Sequence, residues 1–344
     1  MKTKQFAIIT IGAAVRDIFL FLNPADILLL DNSANDPRRQ KLLALEYGAK
    51  IQAANSQLAF GGGAFNSATT FSRAALKTAV ITALGCDDTG EAIIRLLERE
   101  NINHEFVSYH SRGQTGFSVL VVDKATGEHV ALVERGANDL FNFSARSHKL
   151  SSAPWCYLTS LTGEHWQASM DKIINIVKNN KIKLAWNPGN EQLERGWGLF
   201  GRFLKHCQLL ILNHDEAMAL IKSDGEEIKD INHTLNALLR WGVKMVIITD
   251  GPEGAYYADK HQKLHIAARG DVKVVDSTGA GDAFGSGFVS GLIATKMGNI
   301  SYALQVAMAN AESVISQIGA QAGIVYAKDL DKIIKKKKYK IKKI

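Results

Sequence analysis

Short apolar runs rich in β-branched residues recur at 6–11, 78–84, 155–160, 183–187, 209–213 and 245–250. Between them lie segments whose apolar positions repeat every three to four residues, at 64–76, 91–101, 166–179, 197–207, 215–221 and 232–241. Runs of the first kind predict fully buried strands and the second kind predict amphipathic helices. Strand and helix in alternation build a mostly parallel sheet covered by helices on both faces, so the expected class is α/β. The first apolar run continues to Leu22, but Arg16 and Asp17 interrupt it. It therefore reads as a buried strand, not as a signal peptide or a membrane span.

Two regions break the rhythm. Residues 18–58 contain no clear strand–helix unit, and 104–135 carry alternating strands at 104–110, 117–123 and 128–133, with Thr126-Gly127 as a hairpin turn. Both predict a small β-rich lid on the main sheet, a device that excludes water from a reaction site. The expected layout is one domain over 1–330, with a lid from about 18–58 and 104–135, followed by a lysine-rich tail at 331–344. Exposed edges on lid strands leave open a homodimer through the lid.

Composition changes this picture little. The chain is 46% hydrophobic with a mean hydropathy of −0.05, values of a globular protein without membrane spans. The net charge of +7 is concentrated: positions 332–344 hold eight lysines and no acids, and without them the body stands at −1. That segment reads as a frayed, solvated tail, with a weak contact to nucleic acid or an anionic membrane as the alternative. Cys86, Cys156 and Cys207 are odd in number and far apart, which fits free thiols in a reducing cytoplasm. The ten histidines fall in no metal-ligand pattern.

The candidate chemistry lies in 274–284. Val274 and Val275 lead into a polar turn, Asp276-Ser277-Thr278, then Gly279-Ala280-Gly281-Asp282 opens a small-residue helix over about 283–297. Glycines at a helix start bring main-chain N–H groups close to an anion, and the helix dipole favours negative charge there. A carboxylate in that turn would repel a passively held phosphate. It fits a base that takes a proton from a hydroxyl while the amides stabilise a phosphoryl group in transfer. Asp282 as a helix cap is the competing assignment. Elsewhere Gly12 follows the first strand, with Asp17 placed near strand ends to accept hydrogen bonds from substrate hydroxyls, or else a turn residue. Gly61-Gly62-Gly63 precedes a helix in which Asn66 would present an amide to a polyol, and no Walker A sequence follows. Asp88 or Thr89 reads as an N-cap. Asn213 and Glu216 have capping-box spacing, or would order Mg²⁺ and its waters. Thr249 and the Gly251 amide, after another strand, are candidates for phosphate oxygens.

These segments, in this order together with Gly85–Gly90 (85–90), Thr115-Gly116 and Gly136-Ala137-Asn138, resemble the ribokinase-like (PfkB) family of carbohydrate and nucleoside kinases over roughly 6–330. The resemblance implies a ribokinase-like fold and transfer of the ATP γ-phosphoryl group to a hydroxyl of a small sugar. A nucleoside, a phosphosugar, or a non-catalytic ligand-binding role are the alternatives. It implies Asp282 as base, Gly279, Ala280 and Gly281 as anion hole, and Asp17, Gly62 and Asn66 as acceptor-binding residues. Asn213, Thr249, Gly251, Gly254 and Asn310 would face ATP, Asn213 and Glu216 would act on Mg²⁺ through water, and Asp276 would neighbour a K⁺ site. Three departures stand out. Gly63 occupies a place where relatives carry lysine, Asp250 puts an acid beside the phosphate-facing pair, and 187–190 lack an arginine.

Overall fold

The computed structural model describes residues 5–32, 41–143, 147–227 and 229–344. Strands and helices are numbered along the chain. Six parallel strands form the centre of a nine-stranded sheet: β1 (Ile8–Ile11), β6 (Thr78–Ile81), β11 (Trp155–Leu158), β12 (Lys183–Trp186), β13 (Cys207–Asn213) and β14 (Met245–Thr249). Antiparallel β15 (Ala255–Asp259), β16 (Lys263–Ile266) and β17 (Ile341–Lys343) extend it, giving the order β17-β16-β15-β14-β13-β12-β11-β1-β6. A four-stranded sheet, β10-β9-β2-β5, is built from β2 (Val15–Leu22), β5 (Asn55–Gly61), β9 (Thr115–Asp123) and β10 (His129–Gly136). The hairpin β3 (Leu28–Asp31) with β4 (Lys41–Ala44), and the pair β7 (Ala83–Gly85) with β8 (Ser108–His110), complete the strands of the described residues.

Ten α-helices accompany them among the described residues. They are α1 (Gly63–Arg73), α2 (Asp88–Arg99), α3 (Trp166–Asn180), α4 (Asn190–Glu194) and α5 (Gly196–Leu204), then α6 (His214–Ser223), α7 (Ile231–Arg240), α8 (Ala280–Ala294), α9 (Ile300–Val314) and α10 (Ala327–Lys337). The central strands read as unbroken apolar runs because both faces are covered. Ile9, Cys156, Leu184, Leu210 and Val246 enter one core with α3, α5, α6 and α7. Ile8, Tyr157, Ala185, Leu209 and Ile247 enter a second core with α8 and α9. Among the described residues, no helix is long and apolar enough to cross a membrane.

Three expectations change. The apolar run over 6–22 is not one strand: β1 ends at Ile11, the chain turns at 12–14, and β2 begins in the smaller sheet, where Arg16 and Asp17 face opposite ways. The strand expected at 104–110 shortens to 108–110 and pairs with β7, outside the four-stranded sheet. The segment 331–344 is not a frayed tail. Leu330 and Ile334, one helical turn apart, are buried on the inner stripe of α10. Tyr339 is buried and Ile341 pairs with Ile266, so alternation turns the intervening lysines outward. Cys86 is exposed, Cys156 and Cys207 are buried, and all three are free.

Candidate active site

The turn before α8 is stiffened from within. Asp276, 6% exposed, accepts hydrogen bonds at Oδ1 from the Thr278 amide (2.9 Å) and hydroxyl (2.7 Å), and at Oδ2 from the Gly319 amide (2.8 Å). Gly279 is the N-cap of α8 with φ +76°, and a side chain there would press on Ala320 at 2.4 Å. Only glycine satisfies both conditions. The amide of Ala280 donates to Ser277 O at 3.2 Å, which removes it from the expected anion hole; an i→i+3 turn leading into the helix claims it. Gly279 and Gly281 keep amides without a protein acceptor among the described residues, and the space over Gly281 is open. The first turn of α8 therefore directs free N–H groups into the cleft.

Asp282 lies in that first turn but does not cap it. Its Oδ2 accepts from Asn66 Nδ2 at 2.8 Å, across 216 positions of sequence. Burial raises the Asp282 carboxyl above the usual carboxylate range, opposed by the Asn66 bond. Asn66, 4% exposed, stands one turn into α1. That helix starts at Gly62, whose φ of +95° and 2.5 Å approach to Ala13 O exclude a side chain. The Ala13 carbonyl accepts from the amides of Ala64 (3.2 Å) and Phe65 (3.4 Å), so the turn after β1 caps α1.

Asp17 enters from the other sheet. It is 5% exposed on β2, opposite Ser118 of β9, whose hydroxyl donates to Oδ1. Burial pushes its pKa up to about 6; the Ser118 bond opposes this, and Asp276 and Asp282 add to it. Three carboxylates are thus close enough to feel one another across the junction of the two sheets.

Asn213 and Thr249 sit side by side in register at the carboxyl ends of β13 and β14. Asn213 and Glu216 form a reciprocal capping box, with both bonds at 2.8 Å. Burial raises the Glu216 carboxyl, the Asn213 amide opposes this, and Asp215 and Asp282 contribute. The Asp282 influence places Glu216 within electrostatic reach of the same cleft. Asp250 turns to the His214 ring, Nδ1 to Oδ1 3.1 Å, so its charge is engaged beside α6. Gly251 borders open space.

Two residues expected to face the nucleotide have partners within the protein. Gly254 accepts from the Asp250 amide at its carbonyl (2.8 Å) and would clash with Ile266 O at 2.0 Å if it carried a side chain; it makes the turn into β15. Asn310 is 2% exposed and fully engaged: Nδ2 donates to Ala283 O (2.8 Å), Oδ1 accepts from Val325 N (3.0 Å), and Thr70 lies 3.4 Å away. It ties α9 to α8 and offers no polar atom to a ligand. Two contributors went unread in the sequence. Ser118 holds Asp17, and Gln321 donates to Asn66 Oδ1 at 3.2 Å. Neither sits in a glycine-rich segment that would have singled it out.

Two hollows lie away from these carboxylates, one of about 470 Å³ bordered by Asp139, Trp166 and Arg195, the other of about 510 Å³ bordered by Arg73, Tyr326 and Lys328. Neither gathers a base and free amides.

The pfkB family carbohydrate kinase profile matches residues 25–326, a span that starts after Asp17. A ribokinase of Haemophilus influenzae is 27% identical over 281 residues, covering 80% of this chain and 88% of that protein. An uncharacterized sugar kinase of Archaeoglobus fulgidus is 27% identical over 259 residues, covering 74% and 97%. Among solved structures, Arabidopsis thaliana ribokinase complexed with ribose and ATP superposes with a TM-score of 0.78 at 20% identity, covering 96% of this chain and 99% of that one. Burkholderia thailandensis nucleoside kinase in complex with inosine gives 0.77 at 15% identity, covering 96% and 98%. The fold is that of ribokinase, and the chain belongs to the pfkB family of carbohydrate kinases, phosphotransferases that act on an alcohol group.

Proposed function

We propose that the protein transfers the γ-phosphoryl group of ATP to a hydroxyl of a small, unphosphorylated sugar. The observation that carries this reading is the convergence of the Asp282 carboxylate, the free amides of Gly279 and Gly281, and the acceptor-side pair Asp17 and Asn66. Asp282 takes the proton of the attacking hydroxyl as its oxygen bonds to the γ-phosphorus. The bond to the bridging β–γ oxygen breaks and ADP leaves. The amides and the α8 dipole stabilise the transferring group. Asp17, Asn66 and the main chain at Gly62 hold the remaining acceptor hydroxyls, while Asn213, Thr249 and Gly251 line the phosphate side.

A second phosphate on the acceptor would meet acids. Asp276 and Asp282 both raise Asp17, and Asp282 raises Glu216, while Arg16 neighbours Asp17 in β2 and so faces away from it. Of the aromatics that could wall a nucleobase, Phe19 is sealed against Leu120 and Val122, Phe21 stacks on it and is partly buried, and Phe117 lies on the face opposite Ser118. Both observations favour a plain sugar over a phosphosugar or a nucleoside.

No group of three acid, histidine or cysteine side chains suited to a metal occurs among the described residues. A protein cage for Mg²⁺ is therefore not what this site supplies. Glu216 Oε2 is taken by the Asn213 amide, and Oε1 is left to accept a bond from a water of Mg²⁺ bound on the phosphates. When bound there, Mg²⁺ would neutralise phosphate charge. Oδ2 of Asp276 accepts one protein hydrogen bond and keeps a lone pair, so it would hold a K⁺ ion together with main-chain carbonyls of that turn, and no step is assigned to the ion.

The four-stranded sheet acts as the lid in this reading. Its outer face carries an apolar row, Leu58–Ile18–Val119–Leu132, crossing all four strands, with Leu58 63% and Leu132 59% exposed. We assign this face to a second copy of the chain. Three free thiols fit a reducing cytoplasm as the site of action.

A panel of sugars, phosphosugars and nucleosides, each supplied with ATP and Mg²⁺ and read by ADP release, tests the function. Turnover on a sugar that Asp282→Asn lowers by about two to four orders of magnitude supports it. Tight acceptor binding without turnover, or near-normal turnover in the variant, overturns it.

A further inference from the structure

The stretch 315–326, between α9 and α10, has neither helical nor strand structure over most of its length, yet it is pinned at several points. The Ile315 carbonyl accepts from the amides of Val275 (2.7 Å) and Asp276 (3.2 Å), and the Gly319 amide donates to Asp276. Arg73 Nη1 donates to the carbonyls of Gln321 (2.9 Å) and Ile324 (3.0 Å). That guanidinium is itself fixed by Glu100 through Nε (2.9 Å) and Nη2 (2.8 Å), with both side chains about nine-tenths covered. The main chain at Gln321 is therefore anchored to α1 on one side and to the turn before α8 on the other.

Between these anchors the Gln321 side chain reaches into the site. Its Nε2 donates to Asn66 Oδ1 at 3.2 Å, and Asn66 Nδ2 donates to Asp282 Oδ2 at 2.8 Å. Hydrogen-bonding capacity allows this pattern in one sense only. A carboxylate only accepts, so the Asn66 donor must face Asp282; the Asn66 oxygen then faces Gln321, whose amide must present its own donor. Take away that donor and nothing in the 321 direction distinguishes the two faces of the Asn66 amide. Turned over, Asn66 would set an oxygen against Asp282. The titratable groups that Asp282 raises are themselves acids: Asp17 from β2, Glu216 from α6 and Tyr157 from β11.

We propose that Gln321 is a positioning residue for phosphoryl transfer: it fixes the Asn66 amide so that its N–H is always presented to the Asp282 carboxylate. The inference rests on the assignment of Asp282 as the base. Its consequence is protonic. Burial raises the Asp282 carboxyl and the Asn66 bond opposes that rise. Without Gln321 the opposition weakens, and the carboxylate needs a higher pH to form.

Gln321→Met keeps length and volume and deletes the donor. Gln321→Glu replaces it with an acceptor and should drive Asn66 to the wrong orientation. Both are expected to move the acid limb of the kcat profile to higher pH, by roughly half a unit or more for Met and further for Glu, with the ATP KM changed by less than about twofold. Carboxyl ¹³C NMR of Asp282 in the resting protein should shift in parallel. An acid limb and an Asp282 titration in Gln321→Met that match the parent overturn the proposal, whatever the loss in rate. If the parent shows no turnover on any acceptor, the kinase reading fails by itself. The NMR titration still decides whether Gln321 governs Asp282.

Discussion

At the scale of single residues, the site is a group of acids held at a cost. Asp17 has a carboxyl raised from 3.8 to about 6, chiefly by burial, so the folded state holds its proton more tightly than the unfolded chain does. Stability from this group is present in full below 3.8 and is lost as pH rises through about 6. Asp17→Asn should therefore stabilise the fold by an amount on the order of 3 kcal/mol above about pH 7, a gain that disappears near pH 4. Urea midpoints across that range measure it, and turnover should fall in the same variant. A gain of equal size at both ends would show that removal of strain, not of charge, is responsible. Asp282 and its glycines were legible because a short unbroken string carries them. Asn66 was legible for the same reason. Gln321 and Ser118 were not, since their partners lie 255 and 101 positions away and nothing in a linear pattern joins them. Asn310, which only the family resemblance placed beside the nucleotide, makes three buried protein contacts through its amide.

At the scale of elements, the fully buried strands and their covering helices could be read with boundaries within a few residues. Burial on both faces writes an unbroken apolar run, and that signal survives without tertiary context. The strands that went unread are half-covered or at an edge. β2 was merged with β1 because both are apolar and only a three-residue turn parts them. In β17 and α10, lysine abundance masked a valid alternation. The anchor there is Glu312, 3% exposed on α9, which accepts from Lys337 Nζ (2.7 Å), the Tyr339 hydroxyl (2.9 Å) and the Arg269 amide (3.2 Å). Its loss strands a lysine, a buried hydroxyl and a main-chain donor at once. Glu312→Ala should lower unfolding stability by about 3 kcal/mol or more in chemical denaturation. A change under about 1 kcal/mol would mean that the C-terminal elements are held by apolar packing alone.

At the scale of the whole molecule, the proposed function divides the labour between the two sheets: the larger would supply the base and the phosphate side, the smaller Asp17 and an apolar outer face. Leu132→Glu combined with Leu58→Glu should leave a monomer where the parent sediments as a dimer, because a charge at either end of such an apolar row is costly to bury. If the parent sediments as a monomer at tens of micromolar, the face serves something other than a second copy. A sequence alone does not show which side of a half-buried sheet meets solvent and which meets a partner; cross-strand register does.

The lysines fixed along α10 and β17 have a last physical consequence. The net positive charge of the chain is bolted to one rim of the sheet, while the remainder of the body is close to neutral. The pI of about 9.1 is thus a property of one border and not of the surface as a whole. A particle charged in this lopsided way has a large permanent electric moment, and it will meet ion-exchange media, polyanions and its own neighbours edge first.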